Sequence, residues 1–318
     1  MAHSVQIHPV PVIERGNHEA VWAKSPQTNP FAHSEFVARY THWFPRFSAS
    51  VWEIGDGQQV WGGFTGYETR FGGFRRLVNP PLLPYTSPWA VSEAADWLPE
   101  LVARLSQTYD HISLELHPAW THLPESLRPW ARARKTFYTN LTTQEDFVQR
   151  LHRKRRAEHR KTTAATRFDP HFPAAQAVSL IAQSYHRHGR KLPVPEVALT
   201  GLVHDLVGLG LATTVGLWHE NGTPLAATVV LQHETMAYHW LSGSVVFPAI
   251  RPAFSMMIEL IEYFYHNNLI TLDLCGANHP TISTFKQKFA DQEVPYYFIE
   301  QTPSRILSAL EWIRKQVR

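Results

Sequence analysis

A chain of 318 residues with 44% hydrophobic content is long for one compact core and predicts two globular domains rather than a disordered polymer. A formal net charge of +3 with 19 neutral histidines excludes a surface coated for general nucleic-acid binding, so any anion site must be local. The single cysteine, Cys275, rules out an intramolecular disulfide or a thiolate cluster, and with no signal-peptide pattern at the start and no apolar window near the ~20 residues of a bilayer span, a cytoplasmic chain is expected.

In chain order, "SEFVARYTHWF" (34–44) has helical apolar spacing behind a Ser cap and stops at Pro45. "ASVWEIGD", "QQVWGGFTGYE" and "FGGFRRLVNPP" read as three strands separated by glycine turns. A proline-rich connection (79–88) leads to an amphipathic helix over 92–109 and a strand, "DHISLELHPAW". Eight tryptophans in this half supply core mass, or mass for an interface between domains. A further strand, "KTFYTNLT" (135–142), runs into "LHRKRRAEHRKTTAATR" (151–167), which collects basic residues within a few helical turns. On a helical wheel Arg153, Arg156 and Arg160 share one side, Arg150 and Lys154 another, and Phe147 and Leu151 stack as the buried anchor.

The second half repeats the order. Helices are predicted over 172–189, ending on Gly189, and over 195–210, with Pro at the start and glycines at the end. Three strands follow over 211–219, 224–233 and 236–243, the first pair joined by an "ENG" hairpin turn. Then come an amphipathic helix (253–268), a short buried strand "LITLDLCG" (269–276), a short helix (281–290), a strand (294–301) and a terminal helix. The fold class is therefore α/β (α+β), with two tandem domains, each a mixed, mostly antiparallel sheet flanked by helices. The expected boundaries are 1–143 and 171–318, with 144–170 as a basic connecting helix.

Several tempting patterns fail on their context. "GLGLAT" (208–213) lacks a third glycine and precedes a strand, "HRH" (186–188) cannot put two imidazoles on one helix face, and "LSGS" is no nucleophile elbow. Cys275 sits between apolar neighbours with no adjacent base, and no metal site is expected.

Three stretches carry a family resemblance: the hairpin "GLWHENGTPLAATVVLQHETMAYHWLSGS", the run "LITLDLCGANHPTISTFKQKFADQEVPYY" with its "FKxxF" helix, and the basic helix before the second half. The chain resembles the GNAT acyltransferases, in particular their FemABX-like branch with tandem GNAT-like domains. The resemblance covers most of 30–301 in layout and only the second half in motif. It implies an acyl donor, acyl-CoA such as acetyl-CoA or alternatively an aminoacyl-tRNA, and no metal. One departure is that the glycine-rich pyrophosphate loop of acyl-CoA users is replaced by "SVVFPAIRPAFS" (244–255), with no glycine after Gly243.

The same resemblance implies site residues. Tyr238 and Ser242, taken to alternate on one strand face beside a splay between strands, would meet the acyl donor, with ordinary sheet packing as the other reading. Lys286, after Phe285, would contact a substrate phosphate or carboxylate, the alternative being a solvated helix lysine, while Lys288 faces elsewhere. Apart from the resemblance, Arg251 lies just before a helix whose free N–H groups and dipole suit an anion, the other reading being a surface arginine beside two prolines. Asp273 at the end of the buried strand is either a base taking a proton from an amine or a structural cap of the turn at 276–279. Asn278 and His279 follow in the same loop, the imidazole being suited to proton transfer near neutral pH. Arg153, Arg156 and Arg160 offer an anion-binding edge, or simply a solvated helix face.

The leading expectation is an acyltransferase that moves an acyl or aminoacyl group to an amine by direct attack, helped by a backbone N–H at a bulge in the strand over 236–243. The acceptor is a small-molecule or cell-envelope precursor amine. The alternatives are an aminoacyl-tRNA-dependent peptidyltransferase, with tRNA as partner, and a non-catalytic GNAT-like binding protein.

Overall fold

A computed structural model describes residues 6–10, 20–56, 58–91, 97–142 and 147–316, so the first five residues of the predicted helix over 92–109 lie outside it. Two compact units emerge, Met1–Arg134 with Pro295–Arg318, and Lys135–Val294.

The first unit contains β1 (Gln6–Val10), α1 (Ser34–Trp43), β2 (Ser48–Gly55), β3 (Val60–Phe71), β4 (Phe74–Val78), β5 (Trp89–Ala90), α2 (Trp97–Thr108) and β6 (His111–Glu115). Strands β1 to β4 pair antiparallel in sequence, and β4 then pairs parallel with β6 through Arg76↔His111 and Leu77↔Ile112. The β3–β4 turn is two glycines, Gly72 and Gly73, at φ +56° and +89°. This left-handed backbone is what a two-residue hairpin of native twist requires and what side chains resist. Leu98, Leu101, Val102 and Leu105 of α2 recur at helical spacing and meet Ile112, Leu114, Trp52 and Trp120 in the core.

The second unit begins within β7 (Ala131–Asn140), followed by α3 (Phe147–Arg150), α4 (Arg153–Thr163), β8 (Thr166–Asp169), α5 (Ala174–Arg187) and α6 (Glu196–Gly208). Next come β9 (Ala212–His219), β10 (Pro224–His233), β11 (Met236–Ser244), α7 (Pro252–His266), β12 (Thr271–Asp273) and α8 (Pro280–Lys286). Strands β8 to β11 are antiparallel neighbours, β11 pairs parallel with β12, and β12 pairs antiparallel with β7. Met257, Ile258, Ile261 and Phe264 of α7 cover one face of this sheet together with Phe137, Ala237 and Leu272.

The parallel pair β11/β12 repeats β4/β6, and the strand sequences "ISLELH" (112–117) and "ITLDLC" (270–275) match in pattern. Glu115 therefore occupies in the first unit the place of Asp273 in the second. Burial pushes the Glu115 carboxyl up to about 7 against the pull of Arg134, whose Nη2 lies 3.9 Å away. The folded state then holds this proton more tightly than the unfolded chain, so this group's contribution to stability falls as pH rises from about 4.5 to about 7. Glu115→Gln should be more stable than the parent by about 2 kcal/mol at about pH 8, and no more stable at about pH 3.5, as read from urea midpoints.

The compact units divide the chain elsewhere than at the expected 143 and 171. Strand β13 (Gln292–Gln301) pairs with β6 through Phe298↔Glu115 to Gln301↔Ile112, which returns it and α9 (Arg305–Gln316) to the first unit. Ile299 is buried in the first core, so the sheet edge and an apolar pocket decide the strand's place rather than its position in sequence. The basic segment is also not one helix over 144–170. It breaks at Leu151 and His152, where the His152 ring accepts from the Lys154 N–H as a cap, and it ends in the unanticipated strand β8. Phe147 and Leu151 pack on the second core, as the helical wheel predicts.

Candidate active site

Strands β11 and β12 pair only at Met236↔Thr271, Ala237↔Leu272 and Tyr238↔Asp273. β11 continues to Ser244, so beyond Tyr238 its edge toward β12 opens. On its other edge the register steps from Val230↔His239 to Val229↔Leu241, which leaves Trp240 as an extra residue, a β-bulge. A bulge breaks the regular order of N–H and C=O groups along a strand and re-aims them.

At the mouth of this splay, Tyr138 of β7, Asp273 of β12 and Tyr238 of β11 stand in register across three strands and share one face of the sheet. All three are held in place by burial and neighbours. Asp273 is fully buried, and its Oδ1 accepts from Thr136 Oγ1 at 2.6 Å and from the Cys275 N–H at 2.8 Å. The second bond caps a tight turn through Cys275 (φ +49°) and Gly276 (φ +47°). Burial, and next the Asp273 charge, push the Tyr138 and Tyr238 hydroxyls well above their ordinary range, so both stay protonated.

Lys286 ends α8 with its side chain turned inward, 9% exposed, and its Nζ donates to the carbonyls of Leu274 and Cys275. Burial pulls its ammonium down from the ordinary lysine range, opposed by Cys275 and Asp273. The Cys275 thiol is itself pushed up by burial, so of these two groups Asp273 is the one whose charge opposes the fall at Lys286. His239, also buried, is pulled down to about 3 by burial and then by the Lys286 charge. The backbone of His239 and of Leu274 lies near its ring, but neither ring nitrogen reaches hydrogen-bond geometry, so the imidazole is neutral.

The structure brings Asp273, Lys286 and Tyr238 together and separates the other expected residues. Lys286 is not a solvated helix lysine, while Lys288 is exposed. Ser242 is exposed and does not share Tyr238's face, because the extra residue at Trp240 shifts the two-residue alternation by one. Asn278 and His279 lie on the exposed turn before α8, Asn278 Oδ1 accepting from the Lys135 N–H at 3.1 Å. Arg251 precedes α7 with its side chain exposed, and its N–H donates to Thr162 Oγ1 at the end of α4. That helix docks on α7 through Arg155 stacked over Phe254 at 5.5 Å and His159 Nε2 at 3.9 Å from Glu259. Arg153 and Arg160 are exposed and Arg156 is half-buried, and their guanidinium groups form no hydrogen bond or ion pair within the described residues. Sequence reasoning missed Tyr138, Thr136 and His239. The alternation of Thr136 and Tyr138 in "KTFYTN" was the available signal for the first two.

Gly243 also has a different role from the one a phosphate loop would give it. A Cβ there would lie 2.4 Å from backbone atoms of Leu180 and Ile181, so its missing side chain lets α5 approach β11. Among the described residues, no group of three or more His, Cys, Asp and Glu side chains is placed to hold a metal ion, and no helix is long and apolar enough to cross a membrane.

A parallel strand pair within an otherwise mostly antiparallel sheet, present in both units, is the arrangement of the tandem GNAT fold. Residues 145–287, all within the second unit, match the family described as acetyltransferase (GNAT) domain. The crystal structure of FemX superposes with a TM-score of 0.66 at 12% identity, covering 96% of this chain and 99% of that one. A tandem GNAT protein from the clavulanic acid biosynthesis pathway gives 0.56 at 10% identity, over 94% and 99% of the two chains. L-PGS from Bacillus licheniformis gives 0.53 at 12%, over 92% and 93%. No curated protein matches the sequence. These likenesses show a shared fold.

Proposed function

We propose that the second unit transfers an acyl or aminoacyl group from an activated donor to an amine by direct attack at the splay between β11 and β12. The observation that carries this reading is the open, bulged edge of β11 beginning at the row formed by half-buried Tyr138 and buried Asp273 and Tyr238. In this reading the donor carbonyl lies along the edge from His239 to Ser242, where a backbone N–H freed by the bulge polarises it. The amine nitrogen bonds to the carbonyl carbon and loses a proton, while the C–S or C–O bond of the donor breaks. The leaving oxygen or sulfur takes a proton from solvent at the exposed end of the strand edge. Asp273 acts as a fixed charge that orients this row and holds Lys286, because its buried Oδ1 is already bonded twice. Proton transfer from the amine falls to solvent or to His279 on the exposed turn.

A second reading concerns the donor. The segment before α7 lacks a glycine after Gly243, and the unpaired guanidinium groups of Arg153, Arg156 and Arg160 give α4 a polycationic outer face. Both favour a large polyanion, an aminoacyl-tRNA, over acyl-CoA, with Arg251 and the uncapped start of α7 as a further anion contact. The acceptor is a small-molecule or cell-envelope precursor amine.

Thermal shift of the full chain with acetyl-CoA, palmitoyl-CoA and alanyl-tRNA tests both readings. A donor at 100 times its Kd stabilises by about 2.7 kcal/mol, a rise of about 5–10 °C for a unit of this size. If no donor raises the melting temperature, the transferase reading fails. For tRNA, changing Arg153, Arg156 and Arg160 together to Gln should flatten the dependence of log affinity on log salt by about 2 to 3. An unchanged slope removes α4 from the donor site.

A further inference from the structure

Among the described residues, the helix α9 has an apolar stripe that nothing covers. Leu307 is its buried anchor at 1% exposure, yet Ile306, Leu310 and Ile313, spaced four and three apart on one side, are 68%, 49% and 52% exposed. Trp312, on the flank of that stripe, is 64% exposed. Single exposed apolar side chains are unremarkable, but four large ones on three helical turns form a patch that calls for an occupant.

Charge selects which one. The sequence of this helix carries Arg305, Arg314 and Lys315 against one acid, Glu311. Two copies meeting through this stripe would pair two segments that are both net basic in sequence, which opposes their association. A basic helix with Ile, Leu and Trp exposed along its length has the composition of one that lies in the plane of an anionic bilayer, its apolar side chains among the acyl chains and its cations at the headgroups.

We propose that α9 docks the protein on an anionic membrane surface, a property separate from the transfer reaction assigned to the second unit. The test is sedimentation of the full chain with large vesicles, either phosphatidylcholine alone or phosphatidylcholine mixed equally with phosphatidylglycerol, at about 0.1 M salt. The chain should pellet with the anionic vesicles at least tenfold more strongly than with neutral ones, and raising salt to about 0.5 M should weaken this. Ile306→Ser with Ile313→Ser should lower the anionic partition about tenfold or more while the melting temperature stays within a few degrees, because both residues are exposed. Trp312→Phe should abolish a blue shift in fluorescence seen on adding anionic vesicles. The proposal is overturned if the chain ignores anionic vesicles, if it binds both kinds equally, or if the double variant binds like the parent. It is also overturned if sedimentation equilibrium finds a dimer that the double variant loses, since the stripe would then be a contact between copies.

Discussion

Asp273→Ala is expected to cost about 3–5 kcal/mol of folding stability, seen as a lower urea midpoint at unchanged slope. The substitution removes the acceptor for Thr136 Oγ1 and the Cys275 N–H, both buried, and leaves the Lys286 ammonium without the charge that offsets its burial. Asp273→Asn keeps an oxygen for both donors and loses only the charge, so its cost should be smaller, about 1–2 kcal/mol. The pair of variants separates geometry from charge. If Asn proves as damaging as Ala, the charge at Lys286 matters more than the turn that Asp273 caps. If neither destabilises, buried Asp273 is not the organising feature of the strand end.

Gly243→Ala should be nearly as severe, about 3 kcal/mol or more, because the new Cβ would overlap the backbone of α5 rather than a side chain able to move away. Thermal or urea unfolding measures it directly. Donor affinity of whatever fraction remains folded should be close to that of the parent, since this glycine serves helix packing. A stable Gly243→Ala protein that has lost donor binding would instead assign the glycine to the donor site.

The elements most legible in the sequence were those whose own residues carry the reason for their conformation. The helices α5 and α7 follow from uninterrupted apolar spacing, and the β9–β10 hairpin from a turn in which Gly222 adopts φ +85°. Asp273, Tyr238 and Lys286 were legible as site candidates from motif resemblance, and the different facing of Lys286 and Lys288 from helical geometry, but not that Lys286 turns inward. What escaped depends on partners distant in sequence. Tyr138 reaches the site because β7 pairs with β12, over 130 positions later, and nothing in "KTFYTN" specifies that register. The placement of β13 in the first unit likewise rests on a vacant edge of β6 and a buried seat for Ile299. The separation of Ser242 from Tyr238 came from one extra residue at Trp240, and simple alternation does not foresee a bulge. The basic run hid a break because His152 caps α4 with a ring nitrogen, a role that composition assigns to Ser, Thr, Asp or Asn.

The splay between β11 and β12 is the centre of this account, and hydrogen exchange of the full chain with and without the donor that raises its melting temperature tests it most directly. Bound donor should slow exchange at the backbone amides from His239 to Ser242 and at the strand end from Leu274 to Gly276. A donor that stabilises the protein while protecting amides elsewhere and leaving these unchanged would contradict the assignment.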